Sequence, residues 1–345
     1  MVPTAFSTRS PSWIAVLIGA VMLASCTSAN RPTSAASSSR SATPMPTPCT
    51  PAASPPARMG AAMTYDAGRK TVVLFGGTRG DGGSPLDDTW TWDGCHWTQA
   101  KPAASPPGRS FGNLAFDASS GKVILFGGGH ANSDPARNDT WSWDGSTWTQ
   151  EHPRTTPPRL ADDGLIAADP TNHQVVLFGT DLQGNQVPST WTWDGSNWTQ
   201  HRAPTTPPKR GNAAMAFGAK SGMLLFGGQA GEADTLNDTW VWDGSTWSQL
   251  RPSTKPAGGP AIMAHEDSRS DVLMVEQDGT WTWTGSNWTR QHPSAMPPFQ
   301  LFCSLAYDAV RDRVVLFGGK NLQTNQATSD TWLWDGTTWS RASGS

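Results

Sequence analysis

A tryptophan-rich segment that recurs six times constrains the fold of this chain more than any other feature. Its clearest copy reads Asp-Thr-Trp-Ser-Trp-Asp-Gly-Ser-Thr-Trp over residues 139–148. Trp alternates with Thr or Ser, the period-2 pattern of a β-strand, and Asp-Gly favours a hairpin turn because both residues tolerate positive φ angles. We therefore predict a hairpin with three indoles on one face. A two-residue loop would set Trp141 opposite Trp148, whereas a four-residue loop would pair Trp143 with Trp148.

The copies follow one another at a nearly fixed spacing. Their first tryptophans are Trp90, Trp141, Trp191, Trp240, Trp281 and Trp332, which gives spacings of 51, 50, 49, 41 and 51 residues. Eighteen of the 19 tryptophans belong to these six triplets. A period of this length indicates supersecondary units that bury their apolar faces against one another.

Each repeat contains four candidate strands, most clearly in the second copy. Residues 114–117 form a first strand, and residues 122–128 form a second strand that is apolar on both faces, as is typical of a strand buried on both sides. A polar loop over residues 129–138 then leads into the tryptophan hairpin, which supplies strands three and four. Four antiparallel strands repeated six times favour radial closure into a propeller, which leaves only short edges. We expect the ring to close by packing between the first and last units, without strand exchange.

The repeat resembles the kelch repeat. An arginine precedes the first strand, and a later tryptophan follows the second. Phe-Gly-Gly ends the second strand in four copies, at Phe75, Phe126, Phe226 and Phe317. The resemblance covers residues 58–341 and implies an all-β fold, a six-bladed β-propeller of kelch-type four-stranded repeats, similar to the central domain of galactose-oxidase-type proteins.

The N-terminal segment predicts export and a lipid anchor. Residues 1–25 carry one positive charge, at Arg9, and an apolar run that is too short to span a membrane and is typical of a secretory signal. Residues 23–26, Leu-Ala-Ser-Cys, resemble the lipobox of bacterial lipoproteins, which implies lipidation at Cys26 and an extracytoplasmic location on a bacterial membrane. The alternative is an ordinary secretory leader with a chance cysteine. Residues 26–57 are rich in Ser, Thr, Ala and Pro, so we expect a disordered tether before a folded domain at 58–345.

The remaining cysteines and the net charge restrict the partners. Cys49, Cys95 and Cys303 are an odd number for an oxidising compartment. Cys49 and Cys95 are the more accessible pair, although spacing alone does not establish a bond between them. A net charge of −3 offers no basic excess, so we expect no nucleic-acid partner.

Four arginines occur in register before the first strand of the first four repeats: Arg58, Arg109, Arg159 and Arg210. The kelch resemblance places this position near the mouth of a central channel, where guanidinium groups would bind carboxylates or phosphates. The structural alternative is that each arginine bonds carbonyl groups of the neighbouring repeat. We identify these four arginines, with His130 in a long loop, as candidate ligand-binding residues.

Enzymatic chemistry has little support in the residue types. The copper site of galactose oxidase needs two Tyr ligands, a Cys–Tyr pair and two His, but this chain has only Tyr65 and Tyr307, both at first-strand positions that suit the core. The seven His are scattered without metal-ligand spacing. Glu266 and Glu276 are the one acidic pair tied to a departure from the repeat, since the fifth copy has a shortened loop and lacks Phe-Gly-Gly. We predict no catalytic set, no metal and no cofactor.

The sequence therefore favours a monomeric, non-catalytic binding or scaffold module that presents its long loops to a protein or glycan. The membrane would be a partner only through the lipid anchor. The alternative is a carbohydrate-active enzyme, an oxidase, lyase or epimerase, on the same fold.

Overall fold

The computed structural model describes residues 53–80, 83–129, 136–160, 164–182, 187–231, 234–266 and 271–342. Cys26, Cys49 and His130 lie outside the described residues, as do the predicted signal segment and the tether up to residue 52. All regular elements in the described ranges are β-strands. A search of the same ranges for a helix long and apolar enough to cross a membrane finds none.

The described residues form 27 strands, numbered in chain order, which make six four-stranded sheets and one small sheet. Sheet 1 contains β1 (Ala62–Asp66), β2 (Thr71–Phe75), β3 (Thr89–Trp92) and β4 (Trp97–Ala100). Sheet 2 contains β5 (Asn113–Asp117), β6 (Lys122–Phe126), β7 (Thr140–Trp143) and β8 (Trp148–Glu151). Sheet 3 contains β9 (Leu165–Asp169), β10 (Gln174–Thr180), β11 (Pro188–Trp193) and β12 (Trp198–His201).

The second half of the chain follows the same plan. Sheet 4 contains β13 (Ala214–Gly218), β14 (Gly222–Phe226), β15 (Thr239–Trp242) and β16 (Trp247–Leu250). Sheet 5 contains β17 (Ala261–His265), β18 (Val272–Glu276), β19 (Gly279–Trp283) and β20 (Trp288–Arg290). Sheet 6 contains β22 (Ser304–Asp308), β23 (Arg313–Phe317), β26 (Thr331–Trp334) and β27 (Trp339–Arg341). The small sheet contains β21 (Gln300–Leu301), β24 (Lys320–Asn321) and β25 (Gln326–Ala327).

The six large sheets form a closed ring. Each is antiparallel, with its strands hydrogen-bonded in chain order, so none of the large sheets borrows a strand from another. The first strand of each sheet contacts the first strand of the next, and β22 of sheet 6 contacts β1 of sheet 1. The first strands therefore surround a central channel, and the ring closes without strand exchange, as expected.

The tryptophan hairpins have the four-residue loop. Trp143 pairs with Trp148, so the two-residue alternative is wrong. Gly145 has a φ of 96°, whereas Asp144 acts through its side chain, because its Oδ1 accepts hydrogen bonds from the backbone N–H groups of Ser146 and Thr147 at 2.8 and 2.9 Å. The aspartate thus caps the turn rather than supplying a second positive φ angle.

The third indole of each triplet packs against the preceding sheet in the ring and donates a hydrogen bond to it. The Trp148 ring lies 5.3 Å from the Phe75 ring of sheet 1, edge to face, and its Nε1 donates to Thr89 Oγ1 at 2.9 Å. The same indole-to-threonine bond recurs at 2.8–3.0 Å in the pairs Trp97–Thr331, Trp198–Thr140, Trp247–Thr190, Trp288–Thr239 and Trp339–Thr280. The prediction that the indoles are buried between repeats is confirmed for 16 of the 18, and the other two, Trp141 and Trp332, are half-buried. Each buried indole contributes about 4–6 kcal/mol of apolar burial before its ordering cost.

The folded region begins before the predicted boundary at residue 58. Pro55 is buried, like Pro106 at the same position before sheet 2. The five residues 53–57, which the sequence analysis assigned to the tether, therefore belong to the repeat that builds sheet 1.

Candidate binding site at the channel mouth

The strand order gives the ring two different faces. The linkers that precede each first strand and the loops between second and third strands lie on one face, which we call the loop face. The turns between first and second strands and the Asp-Gly turns lie on the other, which we call the turn face. Long loops on a rigid scaffold are suited to binding.

A cavity of about 150 Å³ lies where the channel meets the loop face. We call it the mouth cavity. Its walls are largely apolar and include Phe111, Leu165, Ile262, Phe299 and Phe302. Such a lining is suited to an apolar group rather than to a charged one.

Three lining residues of the mouth cavity carry polar side chains: Asn212, Gln300 and Cys303. Gln300 is buried, and its Nε2 has no hydrogen-bond partner among the described residues, although its Oε1 accepts from Thr328 Oγ1 at 2.7 Å. Cys303 is the one titratable side chain in the lining, and burial raises the pKa of its thiol to about 12. The described lining thus has no side chain that would exchange a proton near neutral pH.

Two phenylalanines at the mouth have positive φ angles, which are unfavourable for a residue with a Cβ. Phe111 and Phe302 have φ angles of 54° and 58°, and Gly60 occupies the equivalent position before sheet 1 with a φ of 63°. The left-handed region costs a residue with a Cβ about 1–2 kcal/mol. The conformation is fixed by bonds between sheets, since Gly60 N donates to Phe302 O and Phe111 N donates to Gly60 O, both at 2.8 Å.

The two rings meet at the mouth cavity. Their centroids lie 5.1 Å apart in an edge-to-face arrangement. Sequence reasoning missed both residues. A comparison within the repeat could have found them, because Arg-x-Phe before sheet 2 stands where Arg-x-Gly stands before sheet 1.

Three of the four candidate arginines are buried in internal ion pairs. The Nη1 and Nη2 atoms of Arg109 donate to the two carboxylate oxygens of Asp139 at 2.7 and 2.9 Å, Nη1 also donates to Gly127 O at 2.9 Å, and Nε donates to Pro107 O at 3.1 Å. Arg58 with Asp88, and Arg210 with Asp238, repeat this geometry. All these partners belong to the arginine's own repeat. The expectation that each arginine would bond carbonyl groups of the neighbouring repeat is therefore wrong for these three.

The electrostatics of these pairs agree with their geometry. Burial alone would raise the pKa of Asp139, but the hydrogen bonds and charge of Arg109, with the bond that Trp141 Nε1 donates at 2.7 Å, outweigh it. The pKa of Asp139 therefore lies below its usual value. The guanidinium of Arg109 donates four hydrogen bonds inside the protein, and the side chain is 0% exposed.

Arg159 differs from the other three. It is exposed, and none of the hydrogen bonds or ion pairs between described residues involves its side chain. Sheet 3 has Ser189 where sheets 1, 2, 4 and 6 have aspartate, and Ser189 Oγ accepts the bond from Trp191 Nε1 at 3.0 Å. The serine keeps the indole satisfied but leaves the arginine without a carboxylate.

The acidic residues of sheet 5 do not form a dyad. Glu276 pairs with Ala261 at the start of β17, whereas Glu266 follows His265 at the end of that strand. Five residues of extended strand separate them by about 15 Å. Glu276 Oε2 accepts from Gly258 N at 3.2 Å, and burial together with the neighbouring Asp278 raises the pKa of Glu276 to about 8.

A second cavity of about 250 Å³ lies at the turn-face end of the channel. Tyr65, Tyr307 and His265 are among its lining residues. Tyr307 donates to Asp312 Oδ1 at 2.9 Å, and His265 Nδ1 lies 2.8 Å from Phe217 O. In the described ranges, no group of three or more His, Cys, Asp or Glu residues is placed to hold a metal ion.

The cysteines fall into two states. Cys95 is disulfide-bonded, with its partner outside the described residues. Cys303 is a free thiol, and its Sγ donates to Gln300 O at 3.2 Å.

Comparison with known proteins identifies the fold. No protein-family model matches the chain, and no curated protein matches it. Among solved structures, the chain is similar to YjhT, a kelch-type propeller protein, with a TM-score of 0.62 over 84% of this chain and 98% of that chain. The fold is a β-propeller. Because the two sequences are 14% identical, the similarity concerns the fold alone.

Proposed function

We propose that this propeller is a non-catalytic binding module, exported and lipid-anchored through Cys26 on the outer side of a bacterial membrane. Its loop face receives a partner at the mouth cavity. We further propose that the propeller is kelch-type and six-bladed, each four-stranded sheet being one blade. Two observations support the blade count: the first strands of six sheets form a closed ring, and the small sheet has strands of only two residues, built from the loop and linker of sheet 6.

The observation that carries the binding role is the pair Phe111 and Phe302. Both adopt the left-handed conformation that Gly60 occupies without cost, and their rings meet at the cavity. Backbone strain of this kind persists where the structure over-determines it, and its presence motivates a functional hypothesis. Large aromatic side chains at the rim of an apolar cavity are the usual anchors of a binding site.

The chemistry of the cavity favours a protein segment over a glycan. Apolar walls suit a buried apolar side chain, whereas the many hydroxyl groups of a sugar need convergent polar partners.

The test is a selection with random linear displayed peptides against the full chain, followed by titration of the selected peptides. We expect enrichment of sequences with an apolar residue, and loss of their binding in the double variant Phe111→Gly, Phe302→Gly, with the melting temperature nearly unchanged. Val310→Ser, an exposed apolar residue on the turn face, is the matched control. Failure to enrich any peptide, or equal binding to the double variant, would overturn the proposal. Glycan binding that depends on the same two residues would replace the protein partner with a glycan.

A further inference from the structure

The third blade leaves one repeated arginine without its partner. At the equivalent positions, Arg58, Arg109 and Arg210 each hold an aspartate carboxylate through two parallel hydrogen bonds. In the third blade Ser189 replaces that aspartate, and Arg159 is exposed. The chain therefore keeps a cationic group on the loop face and removes the acid that neutralises it elsewhere.

The surroundings of Arg159 resemble a binding surface. Leu182 and Val187, the described residues on either side of positions 183–186 in the third-blade loop, are 54% and 59% exposed, among the most exposed large apolar side chains of the described residues. Leu182 N donates to Arg159 O at 3.0 Å, which holds the loop against the arginine. Leu165, the first residue of the same blade's first strand, lines the mouth cavity. The third blade thus carries an exposed cation, exposed apolar side chains and part of the lining of the mouth cavity.

We propose that Arg159 binds a carboxylate of the partner whose apolar side chain enters the mouth cavity. This inference rests on the proposed function and specifies its ligand as an acidic peptide with an apolar residue. The guanidinium fork matches a carboxylate in two-point geometry, as the other three blades use it internally. Because water solvates the exposed guanidinium, leaving it without a carboxylate costs the unbound protein little free energy. The guanidinium gains a charge-assisted hydrogen bond when docking excludes water.

The experiment uses the full chain and the peptides selected above, each also made with its acidic residues replaced by amides. Arg159→Ala should weaken binding of the acidic peptide about tenfold or more, and the amide peptide should bind the unmodified chain as weakly. Arg154→Ala, which removes another exposed arginine from the same linker, should leave binding unchanged. Raising the salt concentration should weaken the acidic peptide alone.

Ser189→Asp provides a second test that keeps the arginine. It recreates the aspartate that pairs with the arginine in the first, second and fourth blades, so we expect a higher melting temperature and the same loss of affinity as in Arg159→Ala. If both variants bind the acidic peptide as tightly as the unmodified chain while Phe111→Gly, Phe302→Gly abolishes binding, the role of Arg159 is wrong and the proposed function stands. If no peptide depends on the two phenylalanines, the proposed function fails, and this inference fails with it.

Discussion

Trp97 of the first blade donates its indole N–H to Thr331 of the last blade at 2.9 Å. Sheets 1 and 6 are neighbours in the ring, but no linker connects them along the chain, so this hydrogen bond helps to close the ring. The five other pairs of adjacent blades are joined by the same indole-to-threonine bond. The ring therefore closes with a contact that every repeat makes. A single contact type therefore accounts for all six junctions.

Thr331→Val should destabilise the ring at its closure. The substitution preserves shape but leaves the buried N–H of Trp97 without an acceptor, which costs about 1–3 kcal/mol. Thermal unfolding measures the effect. Thr149→Val, on the exposed face of a fourth strand, should shift stability by no more than about 0.5 kcal/mol. Equal melting temperatures for the two variants would contradict this role of Thr331.

Much of the fold could be predicted because hydrophobic periodicity and turn chemistry are local. The indole-covered hairpins, the doubly buried second strands and the four-strand repeat all follow from residues close in sequence. The sequence did not decide the length of the hairpin loop, because a two-residue and a four-residue loop both place Trp141, Trp143 and Trp148 on one face. Only the observed register, with Trp143 opposite Trp148, decides it.

The site was less predictable because it depends on residues far apart in the chain. Phe111 and Phe302 meet only when the ring closes. The role of Arg109 could have been inferred from the repeat, because an aspartate thirty residues later accompanies it in the first two blades. Ser189 then marks the third blade as the exception.

The buried arginines provide a comparison within one protein. Arg109→Ala would leave the partly buried Asp139 carboxylate without its cation, and such losses cost about 3–5 kcal/mol. Arg159→Ala removes the same residue type from the equivalent position, but without an ion pair, so its melting temperature should match that of the unmodified chain. A similar destabilisation in both variants would show that Arg159 also has a structural partner.

A carboxylate of the fifth blade caps a turn in the fourth blade. Asp117 caps the turn after its own first strand, accepting from Ser119 N at 2.9 Å, whereas the fourth blade has Gly218 at that position. Asp271 of the fifth blade replaces the missing group, accepting from Lys220 N at 2.9 Å and from Ser221 Oγ at 2.7 Å. A β-carbon added at Gly218 would lie 2.6 Å from Asp271 Oδ2, so only one carboxylate fits.

Asp271→Ala should therefore destabilise the protein by about 1–3 kcal/mol through the uncapped turn. Adding Gly218→Asp to that variant should restore part of the loss, whereas Gly218→Asp alone should destabilise by crowding. Denaturant unfolding of the three variants measures the coupling. Additive effects in the double variant would contradict the replacement.

Glu276 should make stability pH-dependent. Its pKa is raised from 4.5 to about 8, mainly by burial and then by Asp278, so the folded state keeps a proton that the unfolded chain has lost. The free energy of unfolding should consequently fall as pH rises from about 4.5 to about 8 and then level off, by an amount on the order of a few kcal/mol.

Melting temperature measured against pH tests this expectation. Glu276→Gln should flatten the fall, and Asp87→Asn, which removes an exposed carboxylate, should leave it intact. The paired aspartates, such as Asp139, have lowered pKa values and the opposite sign, so their contribution is lost only below about pH 4. An unchanged slope in Glu276→Gln would contradict the assignment.

Photo-crosslinking can locate a bound peptide on the surface of the propeller. A selected peptide, with its apolar residue replaced by the photoreactive benzoylphenylalanine, is bound, irradiated and mapped by mass spectrometry. If the apolar residue enters the mouth cavity, crosslinks should form to residues that line it, among them Phe111 and Phe302. Crosslinks confined to the turn face, or spread over the surface without preference, would contradict this binding mode.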